Sequence, residues 1–198
     1  FQVAIDLRPD RPDPYFSRGV TFLLSQQFEK AVEDFTTFIR FDNKVVDAYV
    51  NRGTSYLMMK DTTRAYEDYN TAIRTNRESP LAYSRRGMLY MAQKKYDEAL
   101  ADFDKVIQLD STNSLTYFNR AMLRTQIGDY NHALEDYDKV ALYSPNNVLV
   151  YYNRAGVYAQ LGEIERAVED YTSAIKLYPD FANAYIYRGR LREYLNDP

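Results

Sequence analysis

Tyrosine–arginine pairs recur along the chain at a constant spacing of 34 residues, and this period constrains the fold more than any other feature. In each pair the arginine follows the tyrosine by three positions, and a glycine or an alanine comes next. A strict period of this length indicates an array of structural repeats that stack to bury a shared core. The six pairs are Tyr15–Arg18, Tyr49–Arg52, Tyr83–Arg86, Tyr117–Arg120, Tyr151–Arg154 and Tyr185–Arg188.

A second motif has the same period and consists of an alanine, two variable residues, an aspartate and an aromatic residue. Within each unit both motifs place apolar residues three, four and seven positions apart, which is the spacing of one helix face. Short breaks such as Gly128–Asp129 and Gly162–Glu163 separate the two patterns and suit the end of one helix and the start of the next. The sequence therefore predicts an all-α fold with two helices per repeat. The aspartates of the second motif are Asp34, Asp68, Asp102, Asp136 and Asp170.

These motifs resemble the tetratricopeptide repeat (TPR), a helix–turn–helix unit with aromatic residues, glycine and alanine at fixed offsets. In this chain tyrosine stands where that family has tryptophan, and arginine stands where it has leucine. The resemblance implies an α-solenoid of antiparallel helix pairs, wound as a right-handed superhelix with a concave inner face. The predicted array has full repeats at 12–45, 46–79, 80–113, 114–147 and 148–181, the end of a preceding repeat at 1–9 and the first helix of a further repeat at 182–198.

The repeated arginines and aspartates predict a structural ladder. A partly buried guanidinium requires a carboxylate, and the two-pronged geometry of arginine suits such a pair. We expect each aspartate to pair with the arginine of the next repeat, and pairing within one repeat is the alternative. The repeated tyrosines are predicted to pack in the core. The expected pairs are Asp34–Arg52, Asp68–Arg86, Asp102–Arg120, Asp136–Arg154 and Asp170–Arg188.

The amino-acid composition disfavours nucleic-acid binding, metal binding and histidine-based catalysis. The net charge of −3 argues against a nucleic-acid surface, and the absence of cysteine with only one histidine, His132, argues against a metal site or a histidine-based catalytic triad. We therefore expect no catalysis, cofactor, metal, nucleic acid or membrane insertion. The chain starts at Phe1 without a signal-peptide pattern, so we interpret it as a fragment of a longer protein, and nothing indicates its compartment.

In the family that the chain resembles, the first helix of each repeat lines the concave groove. The residues at these positions are largely apolar, with asparagine or arginine at intervals. Such a surface suits an extended peptide, because amides bond its backbone and apolar residues take its side chains. We therefore predict a scaffold that binds a protein or peptide partner of unknown identity. The candidate groove residues are Phe16, Val20, Val50, Asn51, Thr54, Arg85, Met88, Phe118, Asn119, Met122, Tyr152 and Asn153, with Gln126, Gly156 and Gln160 nearby.

Some members of the family bind the terminal carboxylate of a partner through lysine, asparagine and arginine residues on three successive first helices. Asn51 and Arg85 match that pattern, but Phe16, Val20 and Leu81 stand where the other polar residues belong. The sequence therefore favours an apolar segment over a charged tail.

Other interpretations remain open from the sequence. One alternative is a structural spacer or assembly segment of a longer multi-repeat protein. Another is an RNA-binding helical repeat, which the acidic balance disfavours. The predicted helix 183–195 shows apolar residues with no following partner, namely Tyr185, Ile186, Leu191 and Leu195. Self-association through the uncapped ends is therefore a further prediction.

Overall fold

The computed structural model describes residues 1–195, and the last three positions of the partial repeat predicted at 182–198 lie outside the described residues. The chain divides into two compact units, an N-terminal unit Phe1–Leu109 and a C-terminal unit that begins at Asp110. The N-terminal unit contains α1 (Gln2–Leu7), α2 (Asp13–Leu24), α3 (Phe28–Phe41), α4 (Val46–Met58), α5 (Thr62–Thr75), α6 (Pro80–Ala92) and α7 (Tyr96–Leu109). The C-terminal unit contains α8 (Ser114–Gln126), α9 (Tyr130–Tyr143), α10 (Val148–Gln160), α11 (Ile164–Leu177) and α12 (Ala182–Tyr194). No strand occurs in residues 1–195, and none of their helices is long and apolar enough to cross a membrane.

Consecutive helices pack as hairpins. In the N-terminal unit α2 packs on α3, α4 on α5 and α6 on α7. In the C-terminal unit α8 packs on α9 and α10 on α11, and α12 lies against α11. The turn inside each hairpin contains one residue with a positive φ, which is a left-handed conformation that only glycine adopts without strain. These residues keep the 34-residue period and are Gln26, Lys60, Lys94, Gly128 and Gly162.

Short polar side chains begin several helices. Asp61 accepts a hydrogen bond from the backbone nitrogen of Arg64 at the start of α5, and Asn113 accepts one from Thr116 in α8. These caps satisfy backbone donors that have no partner within the helix.

The three hairpins of the N-terminal unit close where a glycine of the first helix meets an aromatic ring of the second. A Cβ atom added to Gly53 would lie 2.9 Å from Cε1 of Tyr69, and one added to Gly87 would lie 2.9 Å from Cε1 of Phe103. Both rings are fully buried. The glycine that follows the repeated arginine is therefore the point of closest approach between the paired helices.

The arginine–aspartate pairs form within each repeat, so the predicted pairing between repeats is wrong. In each pair Nε and Nη2 of the arginine donate to the two carboxylate oxygens; for Arg86 and Asp102 the distances are 2.9 and 2.7 Å. The hairpin turn folds the second helix back on the first, which brings the aspartate opposite the arginine sixteen positions earlier. The five observed pairs are Arg18–Asp34, Arg52–Asp68, Arg86–Asp102, Arg120–Asp136 and Arg154–Asp170.

The remaining guanidinium nitrogen, Nη1, connects a repeat to the one before it. Nη1 of Arg52 donates to Oγ1 of Thr36 at 3.1 Å, and Nη1 of Arg154 donates to Oδ1 of Asp138 at 2.6 Å. The acceptor stands two residues after the aspartate of the preceding repeat, at a position that varies in chemistry. One arginine thus closes its own hairpin and bonds its neighbour.

Candidate functional site

The C-terminal unit contains a pocket of about 550 Å³ between the first helices α8, α10 and α12. Tyrosines from the second helices α9 and α11 form its deeper wall. We call this site the tyrosine pocket. It is lined by Met122, Thr125, Gln126, Tyr137, Tyr152, Asn153, Gly156, Val157, Ala159, Gln160, Tyr171 and Tyr187.

Three tyrosine rings in the tyrosine pocket contact one another. The ring centroids of Tyr152 and Tyr171 are 5.6 Å apart, those of Tyr171 and Tyr187 are 5.9 Å apart, and those of Tyr152 and Tyr187 are 6.2 Å apart. Burial raises the pKa of Tyr171 to about 12 and also raises that of Tyr152. Their hydroxyl groups are therefore neutral at physiological pH.

The other polar groups of the tyrosine pocket are uncharged amides and a hydroxyl. Asn153, Gln126 and Gln160 supply amides, and the described residues that line the site include no lysine, arginine, aspartate or glutamate. Gly156 adds no side chain to the wall; a Cβ atom there would approach only the hydroxyl of Tyr171, at 3.9 Å. The pocket is thus neutral, with an aromatic wall and amides that can both donate and accept hydrogen bonds.

The structure brings three of the predicted groove residues together in the tyrosine pocket: Met122, Tyr152 and Asn153. Phe118 instead packs against Tyr137, with ring centroids 6.1 Å apart. Asn119 is outside the lining, and its buried Nδ2 has no hydrogen-bond partner.

In the N-terminal unit, two predicted groove residues serve the packing. Phe16 contacts the rings of Phe35 and Phe38, with centroids 5.7 and 5.1 Å away. Val50 is only 1% exposed and belongs to the core cluster. Because the short Val50 side chain stays between the packed helices, it is not available to a ligand, and its prediction as a groove residue is corrected.

The other predicted residues of the N-terminal unit are at least partly accessible. Met88 is 41% exposed and Arg85 is also exposed, whereas Val20, Asn51 and Thr54 are half-buried. Oγ1 of Thr54 donates to the carbonyl of Val50 at 2.8 Å, which leaves its hydroxyl partly engaged within its own helix. Ligand binding by these residues remains a prediction.

Sequence reasoning missed the wall of the tyrosine pocket. Tyr137 and Tyr171 are 1% and 4% exposed, and their period marks them as core residues, which they also are. Tyr187 was missed because the predicted groove list ended before the last first helix. Extending the list by one period from Asn153 would have found it.

Comparison with known proteins identifies the repeats. Profiles described as tetratricopeptide repeat match residues 46–79, 80–113 and 148–181, and a profile described as TPR repeat matches residues 122–162. No curated protein matches the chain.

Several solved structures share the fold. The pilF protein of Pseudomonas aeruginosa has a TM-score of 0.84 at 20% identity, over 96% of this chain and 86% of that chain. YrrB, described as a TPR protein with an unusual peptide-binding site, has a TM-score of 0.74 at 20% identity, over 95% and 97% of the two chains. MamA has a TM-score of 0.74 at 18% identity, over 87% and 94%.

The repeat matches and these structures confirm the predicted fold class, an all-α solenoid of helix pairs. The matched segments together span residues 46–113 and 122–181, which is most of the chain. The chain therefore belongs to the tetratricopeptide repeat family.

Proposed function

We propose that the chain is a non-catalytic scaffold that binds an extended segment of a partner protein, and that the tyrosine pocket receives one large apolar side chain of that segment. The observation that carries this proposal is the neutral pocket between successive first helices, where Met122, Tyr152 and Asn153 meet. YrrB, which has a similar fold, is described as having a peptide-binding site, and this supports the same class of ligand.

The size of the tyrosine pocket fits such an insertion. Sites for small ligands are typically about 300–1,000 Å³, so about 550 Å³ has room for a leucine-, methionine- or phenylalanine-sized group with some of its backbone. Aromatic walls favour apolar and aromatic groups, and the amides of Asn153 and Gln160 can bond the peptide backbone on either side. The amides thus orient the peptide while the rings bury its side chain.

The neutral lining of the tyrosine pocket disfavours charged ligand groups. A carboxylate or an ammonium group placed there would lose its hydration without gaining an opposite charge, which is strongly unfavourable. Raised tyrosine pKa values leave the hydroxyls unable to serve as anionic partners at neutral pH. The inserted residue is therefore uncharged.

The substitution Gly156→Met tests this proposal. Met122 is the residue one repeat earlier, so the chain already accommodates methionine at this position, and replacing a helical glycine favours the helix by about 1 kcal/mol. The added side chain enters the tyrosine pocket without a steric clash at its Cβ atom, which would meet the Tyr171 hydroxyl at an ordinary contact distance of 3.9 Å. Peptides are selected from a phage-displayed random library, synthesised and titrated by calorimetry. We expect Gly156→Met to weaken them by at least about tenfold.

The control is Asn131→Met, which adds the same side chain at an exposed site of α9 outside the pocket. We expect it to leave the affinity unchanged. Equal affinities for wild-type protein and Gly156→Met would refute binding in the tyrosine pocket, as would selected peptides whose essential residue is charged. If no peptide is enriched, the proposal fails in favour of a structural spacer.

A further inference from the structure

The hydroxyl group of Tyr171 lies in the wall of the tyrosine pocket and makes no hydrogen bond to another group of residues 1–195. Tyr171 is 4% exposed, and its hydroxyl lies 3.9 Å from the position that a Cβ atom would take on Gly156. Burial keeps the phenol neutral by raising its pKa to about 12. Tyr171 therefore presents an unused O–H donor to the pocket.

Another repeat supplies a partner for the same hydroxyl. Tyr69 occupies the position of Tyr171 three repeats earlier, and its hydroxyl forms a hydrogen bond with Oγ1 of Thr54 at 3.3 Å. Thr54 stands fifteen residues before Tyr69, in the first helix of the same hairpin, and the corresponding residue before Tyr171 is Gly156. Both helices of the α10–α11 hairpin are present, so the bond is missing because glycine stands in place of threonine.

The remaining tyrosine at this position also has a hydroxyl beside it. A hydrogen bond with Thr125 opposes the rise that burial causes in the pKa of Tyr137. Ala159 is the residue of α10 that corresponds to Thr125. Neither of the two positions that serve the other tyrosines thus carries a hydroxyl in α10, and Gly156 also leaves room beside Tyr171.

The surroundings of this donor specify what a ligand should bring to it. A buried O–H group without an acceptor is unfavourable, so a ligand that places an acceptor there gains affinity. The acceptor should be uncharged, because the described lining of the pocket holds no cation. The packed rings of Tyr152, Tyr171 and Tyr187 favour an aromatic group. Tyrosine combines such a ring with an uncharged acceptor at its far end.

The N-terminal unit contains a pair of tyrosines with this relationship. The hydroxyl of Tyr90 donates to that of Tyr66 at 3.3 Å, and the two rings pack edge to face with centroids 5.8 Å apart. Two phenols can therefore bond through their hydroxyls while their rings stay in contact.

We propose that the tyrosine pocket selects a tyrosine of the partner segment, whose ring packs on the aromatic wall and whose hydroxyl oxygen accepts a hydrogen bond from Tyr171. This inference rests on the proposed function and narrows its inserted residue to an aromatic ring that ends in a hydroxyl group. Phenylalanine would cover the Tyr171 hydroxyl without giving it a partner, and a site that hydrogen-bonds a hydroxyl rejects the analogue that lacks one.

Two phage-displayed libraries test this selection. Both contain short random peptides, with a central tyrosine fixed in one library and a central phenylalanine fixed in the other. Equal amounts are mixed and selected on the intact protein, and sequencing counts the survivors. We expect the tyrosine library to be enriched about three- to tenfold over the phenylalanine library, which corresponds to one neutral hydrogen bond.

Tyr171→Phe is the matched variant of the protein. Phenylalanine already occupies this position in two other repeats, as Phe35 and Phe103, so the variant should fold. We expect it to enrich the two libraries equally. A selected tyrosine peptide and its phenylalanine analogue are then titrated by calorimetry with both proteins, which completes a double-mutant cycle.

Thermal unfolding by circular dichroism tests the unbonded hydroxyl without any ligand. Tyr69→Phe should lower the melting temperature, because it removes the bond to Thr54. Tyr171→Phe should not lower it, because its hydroxyl has no bond to lose. A lower melting temperature for Tyr171→Phe than for Tyr69→Phe would overturn the proposal.

Equal enrichment of the two libraries by the wild-type protein would also overturn it, as would a preference for tyrosine that persists in Tyr171→Phe. Gly156→Met separates this failure from failure of the proposed function. If Gly156→Met loses both libraries and the wild-type protein shows no preference, the pocket binds peptides without selecting tyrosine. If Gly156→Met retains both libraries, or if the wild-type protein enriches neither, both proposals fail.

Discussion

Asparagine in place of Asp136 removes the negative charge that pairs with both Arg120 and Arg124, while keeping the side-chain size. Asp136 is 2% exposed and accepts bonds from Nε and Nη2 of Arg120, at 2.9 and 2.6 Å, and from Nη1 of Arg124, at 2.7 Å. An asparagine amide can accept at only one of these two oxygen positions and places an N–H donor against a guanidinium at the other. We expect Asp136→Asn to destabilise the hairpin α8–α9 strongly.

The magnitude follows from the bonds that the Asp136 carboxylate makes. Breaking a buried ion pair by removing one partner costs about 3–5 kcal/mol. The second arginine adds a charged hydrogen bond worth about 1.5–3 kcal/mol in a buried setting, but the Arg124 side chain is 17% exposed and regains part of this from water. We therefore expect a loss near the upper end, about 4–5 kcal/mol, which is comparable with the whole stability of many domains.

Asp138→Asn provides the matched control, because it makes the same chemical change two residues further along α9. The side chain of Asp138 is 60% exposed, and its one partner among residues 1–195 is Nη1 of Arg154. Exposed ion pairs contribute about 0–1 kcal/mol, so this variant should be close to wild type.

Both variants are measured by urea unfolding followed by circular dichroism, together with native-state hydrogen exchange of the α8 and α9 amides. Exchange is needed because repeat arrays can lose two-state cooperativity, so a single unfolding free energy would hide a local effect. A loss below about 1 kcal/mol for Asp136→Asn, or an equal loss for Asp138→Asn, would refute the assigned role of the buried pair.

Two further predictions concern packing and protonation. Gly53→Ala should destabilise the chain by about 1–3 kcal/mol, because its Cβ would lie 2.9 Å from the buried ring of Tyr69. Gly156→Ala, whose Cβ would meet only the Tyr171 hydroxyl at 3.9 Å, should stabilise the chain by about 0.5–1 kcal/mol. Thermal unfolding compares the two variants, and equal effects would contradict the packing argument. Burial raises the pKa of Tyr137 from its ordinary 10.0 to about 12, so the folded chain retains this proton where the unfolded chain loses it, and stability that is complete below pH 10 falls between pH 10 and about 12. Tyr137→Phe should make that fall shallower in urea unfolding across this range, and an unchanged slope would count against it.

The helical hairpins were predictable because two motifs share one period and each has helical spacing. The direction of the arginine–aspartate pairing was not predictable in this way. Asp34 is sixteen residues after Arg18 and eighteen before Arg52, so a strict repeat is consistent with either partner. Only the packing of the hairpin, which places the two helices of one repeat side by side, decides between them.

The residues that the first helices contribute to the tyrosine pocket were predictable from the sequence, but the wall contributed by the second helices was not. Met122, Tyr152 and Asn153 followed from their position, but the wall formed by Tyr137 and Tyr171 depends on how the edges of core residues emerge between helices. Periodicity assigns each residue to one face, whereas a large ring can fill the core and line a pocket at once.

In the five observed pairs the two-pronged bond of the arginine closes its own hairpin. The third nitrogen, Nη1, bonds the preceding repeat in Arg52, Arg86 and Arg154. A break between repeats therefore separates none of the five buried carboxylates from its cation. A break inside a repeat does separate the pair. Whole 34-residue units can therefore be duplicated or deleted in evolution at little electrostatic cost, provided that each insertion or deletion begins and ends between hairpins.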